Sequence, residues 1–156
     1  MADLVKFKTI VDTFYRSLTK TPEGITGKKL SEDSWSLNEI IGHLIDSASN
    51  NHQRFVRLQF GDLLDFPAYD AEPWIQVQRY ADMDWVQLIT LWYSYNCMLI
   101  KVIEHMNSRS LVNVWINGED ALPLSHLVND YYRHMEWHIE HFEKRVGEID
   151  SVERIL

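Results

Sequence analysis

Hydrophobic recurrence with a period of 3.6 residues governs most of this chain, and it leaves little room for any fold other than a helical bundle. Segment 3–19 sets Leu4, Phe7, Val11, Phe14, Tyr15 and Leu18 on one stripe, and Pro22, Glu23, Gly24 and Gly27 end it. Segment 36–59 opens on Ser36 as N-cap with Glu39 three residues later, a capping box. Trp35 is placed to staple against Ile40, and Gly61 closes the segment. Segment 84–106 carries Trp85, Leu88, Ile89, Trp92, Leu99 and Ile103. Apolar residues cover so much of its circumference that it predicts central burial or a helix shared with a partner subunit. Segment 123–145 starts at Pro123, suited to a first helical position, and stops before Gly147, with the residues beyond expected to fray or dock lightly.

Two connections are elaborated. Residues 61–82 are rich in acids and aromatics and include Pro67 and Pro73. A link of that length inside a domain is a functional lid or carries helical turns of its own. Residues 110–120 alternate through Val112, Val114 and Ile116 and end in Asn117-Gly118, a weak hairpin or single-strand signal. The chain of 156 residues is read as a single domain, 1–156, with no internal repeat. The fold class expected is all-α: a mostly antiparallel four-helix bundle with a long loop between its second and third helices and a short β segment before the fourth.

Composition excludes some partners. The chain has 23 acidic and 15 basic residues, a formal net charge of −8, and no basic run interleaved with aromatics. Nucleic acid and anionic membrane surfaces both recruit clustered Lys and Arg, so neither is expected as a partner. The N-terminal stretch Met1 to Lys6 lacks the pattern of a signal peptide, and no apolar run reaches the roughly 18 residues of a membrane span. The single cysteine, Cys97, falls among apolar residues of a helical segment and reads as a buried small hydrophobe. A cytoplasmic location is expected.

The chemistry lies in the histidines. The stretch Asp130-Tyr131-Tyr132-Arg133-His134-Met135-Glu136-Trp137-His138-Ile139-Glu140-His141 places His134 and His138 four apart, one turn above the other. His43 stands far upstream, in Gly42-His43-Leu44-Ile45-Asp46. A lone His and a His-x-x-x-His pair form the minimal set for a three-histidine metal site with an open position. With seven histidines in the chain the pair alone is weak evidence, and hydrogen-bonded structural histidines are common. Helical angles add to it. The second helix centres its apolar face on Leu37, Ile41, Leu44, Ala48 and Phe55, with His43 on a flank beside Glu39, Ser47, Asn50 and Arg54. The fourth centres on Leu124, Val128, Met135, Ile139 and Phe142, with His134, His138 and His141 on one flank and Asp130 one turn before His134. Both flanks would border a solvent-reachable cleft. His141 is open between ligand, outer partner and surface residue, with a non-ligand role favoured. His52, His105 and His126 read as structural or solvated. The Trp and Tyr residues read as packing rather than a cofactor box.

The pieces Trp35-Ser36-Leu37-Asn38-Glu39-Ile40-Ile41-Gly42-His43-Leu44-Ile45-Asp46 and Leu127 to His141, with Pro73-Trp74 and residues 85–103 between them, resemble the DinB/YfiT-like family of metal-dependent enzymes over nearly the whole chain. The resemblance implies a four-helix bundle with up-down-down-up-like connectivity, often dimeric, that binds a divalent metal such as zinc or nickel. The ligands it implies are His43, His134 and His138. Where many relatives have a compact His-x-x-x-His-His arrangement, this chain has Ile139 and a displaced His141, which bears on His141 and not on the other three.

Such a centre can activate water or deprotonate a thiol. The leading expectation is a metal-dependent hydrolase acting on a small molecule. The alternatives are a metal-dependent thiol S-transferase or isomerase with a thiol substrate, a metal-binding or sensor module without turnover, and a metal-free helical homodimer. A di-iron site is disfavoured, since no Glu-x-x-His pairs occur in two helices. Around the metal, a carboxylate is expected to hold each ligand's other ring nitrogen, with Asp130 and Glu39 as candidates and Glu39 also claimed by the capping box. Asn96 and Tyr95 could line the cavity, although a satisfied buried amide is the favoured reading of Asn96.

Overall fold

The computed structural model describes residues 3–153. Its long elements are α1 (Leu4–Leu18), α3 (Leu37–Arg57), α5 (Trp85–Glu104) and α6 (Leu124–Glu153). Between them lie two short helices, α2 (Glu23–Thr26) and α4 (Ala71–Gln78), and a hairpin of β1 (Val114–Asn117) and β2 (Asp120–Pro123). This is the all-α bundle with a small β element that the periodicity predicts.

Helix starts are specified by side chains. Asp3, Ser36 and Asp84 each accept hydrogen bonds from the first-turn N–H groups of α1, α3 and α5. Glu39 returns the favour to the Ser36 N–H, so the capping box is complete. The apolar stripes then meet. α3 packs against α5 and α6, and α1 packs against the same two, so the long helices close a ring in the order α1, α5, α3, α6. Leu37, Ile41, Leu44, Ala48 and Phe55 of α3 are all buried, as are Val128, Met135 and Phe142 of α6. α5 is long and apolar enough by composition to cross a membrane. In the bundle it contributes Trp85, Leu88, Trp92, Leu99 and Ile103 to the core, while Val86, Leu91 and Met98 remain exposed.

Three local expectations are corrected. Pro123 ends β2 opposite Val114, and α6 begins one residue later, because a residue with fixed φ and no N–H serves a strand end as well as a first helical turn. Gly147 does not stop α6, which runs on to Glu153; burial of Ile149 offsets the roughly 1 kcal/mol a mid-helix glycine costs. Of the tail expected to fray, residues 154–156 lie outside the described residues. Cys97 is half-buried rather than buried.

The connections are ordered. Residues 61–66 dock on the hairpin: the Leu63 N–H donates to Val114 O, the Ile116 N–H to Leu63 O, and the Trp115 indole to Phe66 O. The hairpin turns tightly at Gly118, whose φ of +63 is the conformation glycine adopts at low cost. α4 and the 3-10 turn Tyr80–Asp82 pack against α3, on the helix that carries His43.

Candidate metal centre

α3 and α6 are neighbours, so the flanks that carry their histidines face each other. His43 Nε2 lies 3.4 Å from His134 Nε2, and His138 Nε2 lies 3.1 Å from the same atom. One ring nitrogen from each of the three falls within 4.8 Å of the other two. Donors bound at 2.0–2.1 Å to a tetrahedral zinc ion stand about 3.3 Å apart. The spacing therefore fits a single divalent cation.

The flanks are not the open cleft that helical angles implied. His43 and His138 are 5% and 3% exposed, and only His134 is half-buried. Nor is the polar stripe of α3 solvated, since Glu39, Ser47, Asn50 and Arg54 are all buried. The reason is Trp35, just before α3, together with the connection between α3 and α5. Tyr69 brings its ring to 6.4 Å from His43, and Trp35 lies 5.1 Å from His43 and parallel to His138. The Trp35 indole is tied to α4 by a 2.9 Å hydrogen bond to Glu72. Tyr69 belongs to a segment without periodicity and could not have been placed from sequence.

Burial sets the charge state. It lowers His43 from its ordinary 6.5 to about 4, with proximity to His134 adding to the effect. His138 falls to about 3 through burial and then its histidine neighbours. Burial also lowers His134, against an opposing pull from Asp130. Three neutral imidazoles offer lone pairs, which is the form a metal requires. The unfolded chain protonates its histidines near 6.5 while these stay neutral, so on acidification the unfolded state takes up more protons. The associated stability is complete above about pH 6.5 and is lost as the pH falls toward the folded values near 4 and 3. The metal-free protein should thus unfold at lower urea at about pH 5 than at about pH 7.5. Equal midpoints would contradict neutral burial.

The other site expectations divide. Asp130 pairs with Arg133, and Glu39 accepts from the Ser36 N–H and pairs with Lys29 at 2.9 Å, so neither carboxylate bonds a histidine. Nδ1 of His43 and of His138 is enclosed without a hydrogen-bond partner among the described residues. His141 stands beside Arg145, outside the convergent group. Asn96 is the satisfied buried amide: its Nδ2 donates to Trp92 O and its Oδ1 accepts from Tyr131. Tyr95 meets His52 instead of the centre. His105 bonds the Lys101 carbonyl at the end of α5, and His126 is exposed.

Unforeseen was Asp46, one turn after His43. It is 2% exposed, and its Oδ1 accepts from the Tyr80 hydroxyl at 2.7 Å and from Gln78 at 2.8 Å. Burial raises its carboxyl above the ordinary range, against those two hydrogen bonds. The bond anchors the 3-10 turn onto α3 directly behind the histidine.

No family model matches the chain, and a comparison with curated proteins gives no match. A comparison with solved structures matches YfiT from Bacillus subtilis, described as a probable metal-dependent hydrolase with an unusual four-helix bundle topology. The TM-score is 0.77, over 94% of this chain and 90% of that one, at 14% sequence identity. The fold is that of YfiT. The resemblance noted from Trp35 to Asp46 and from Leu127 to His141 is thus met at the level of architecture.

Proposed function

We propose that this chain is a divalent-metal-dependent hydrolase acting on a small molecule. The observation that carries the reading is the convergence of three neutral imidazoles, His43, His134 and His138, at tetrahedral ligand spacing. YfiT, with the same fold, is described as a probable metal-dependent hydrolase, which agrees with it. Zinc and nickel both suit an all-imidazole donor set. When bound, the cation supplies Lewis acidity, polarising an electrophile and activating water.

The chain's own residues shape what that chemistry can reach. Trp35 and Tyr69 wall the centre and limit the water around it. His134, the most exposed of the three, marks the side from which a substrate approaches. Tyr69 holds its hydroxyl proton, pushed up to about 12 by burial and by Asp46, so it can donate a hydrogen bond to the carbonyl oxygen of a substrate. A homodimer in the cytoplasm, with no nucleic-acid or membrane partner, completes the proposal.

Protein purified without a histidine tag should contain close to one equivalent of zinc or nickel. It should hydrolyse members of a panel of activated esters and amides, lose that activity on chelation, and regain it on adding the ion. Stoichiometric metal without turnover would leave a binding module. Turnover only with a thiol and an electrophile would move the assignment to S-transfer.

A further inference from the structure

The polar flank of α3 does not end at the centre. His43, Ser47, Asn50 and Arg54 follow one another along it, and all four are buried. Arg54 lies three turns beyond His43, roughly 16 Å along the axis. Helical side chains as a rule lean toward the N-terminal end, which is the direction of His43.

Arg54 is 7% exposed, yet no carboxylate among the described residues pairs with it. Its guanidinium stacks 3.9 Å from the Trp115 ring and 5.8 Å from that of Phe66. Its Nε is enclosed with no hydrogen-bond partner, and none of its other nitrogens makes a hydrogen bond or ion pair with a described residue. Those terminal nitrogens are not among the enclosed atoms, so they keep access to solvent. The contrast lies within the same stripe, where buried Glu39 is matched by Lys29. A guanidinium cannot shed its charge to escape burial, and its planar fork fits an oxyanion through paired hydrogen bonds. Stacking on Trp115 fixes that fork in one plane. Tyr69 links the two ends, with its ring near His43 and its phenol hydrogen-bonded to Ser47 and within electrostatic reach of Arg54.

We propose that Arg54 is an oxyanion-binding subsite, holding the carboxylate or phosphate of an elongated substrate whose other end reaches the three histidines. The inference rests on the metal-centre reading for its second half, and it narrows the substrate to an anionic small molecule. The Trp115 hairpin and residues 61–66 then serve to orient the guanidinium, which gives these connections a purpose beyond covering the bundle.

The test titrates the full chain with inorganic phosphate and, separately, with propionate, at constant ionic strength. It follows thermal stability and the arginine Nε–H resonances. Saturable binding is expected in the wild type, weakened roughly tenfold or more in Arg54→Gln. Arg54→Lys keeps charge and stem but loses the fork, and should bind more weakly than wild type. It also serves if Arg54→Gln does not fold. The anion that binds more tightly assigns the chemical class. No saturable binding of either anion, or equal affinity in the Arg54 variants, would overturn the subsite. Metal content separates this from the reading beneath it: Arg54→Gln should retain the ion, and His134→Ala should lose it while still binding the anion. Absence of metal with intact anion binding would count against the centre alone.

Discussion

Replacing His134 with alanine should reduce bound metal to background, and the same result is expected for His43→Ala and His138→Ala. Loss of a group that merely orients a ligand costs roughly ten- to hundred-fold in metal affinity, so removing one of three donors should exceed that. Activity should vanish with the ion. The thermal signature is equally specific. A ligand present at about a hundred times its dissociation constant stabilises by about 2.7 kcal/mol, or roughly 5–10 °C for a domain of this size. Zinc should therefore raise the melting temperature of the metal-depleted wild type and leave the variants unmoved. Without metal the difference should be small. His43 and His138 are enclosed with their Nε2 atoms 3.4 and 3.1 Å from that of His134, and their Nδ1 atoms have no hydrogen-bond partner among the described residues. Trimming His134, the least buried of the three, relieves neither of those nitrogens and removes the Nε2 that both other rings face, so the metal-free variant should lie within about 1–2 kcal/mol of the metal-free wild type. His52→Ala, which removes only a contact to Tyr95, is the control and should keep its metal. Stoichiometric metal in all three variants would rule the centre out.

How far the sequence exposed this centre depended on which force placed each residue. The ligands sit on long helices, where the 3.6 period sets direction, so the flanks of His43, His134 and His138 could be assigned by angle. Their burial could not. It is imposed by Trp35 and Tyr69, which reach the histidines through the packing of α4 on α3, and residues 61–70 carry no periodic pattern to reveal that. The same limit explains Glu39 and Asp130. Spacing put each one turn from a histidine, but Glu39 is taken up by the Ser36 N–H and Lys29, and Asp130 by Arg133, partners closer at hand than the rings. Asp46 escaped notice for the opposite reason: its partners Gln78 and Tyr80 are more than thirty residues away. Pro123 and Gly147 show where local preference yields to tertiary packing.

The largest stability effect of a single methyl group is expected at Gly42→Ala. A Cβ built on Gly42 would lie 2.1 Å from Cγ of Tyr80 and within 2.6 Å of both Cδ atoms. Real carbon contacts never approach so closely, so either the α3 backbone or the tyrosine ring must move. The ring has nowhere convenient to go. Tyr80 is 3% exposed, and its hydroxyl is committed to Asp46 at 2.7 Å and to Gln78 at 2.9 Å. The turn that carries it is further pinned by Asn38, whose amide donates to Met83 O at 2.8 Å. Helix propensity favours alanine over glycine by about 1 kcal/mol, but overpacking a closed core costs about 1–3 kcal/mol and more where hydrogen bonds break with it. The clash should prevail, lowering the melting temperature by roughly 5–10 °C. Because Gly42 precedes His43, movement of α3 should also weaken metal binding, coupling stability to the centre through one contact. Tyr80→Ala combined with Gly42→Ala isolates the cause. The double variant should lose less than the sum of the two single losses, since the ring that obstructs the methyl is gone. Additive losses would show that the tight approach of Gly42 to Tyr80 is not what holds the turn against α3.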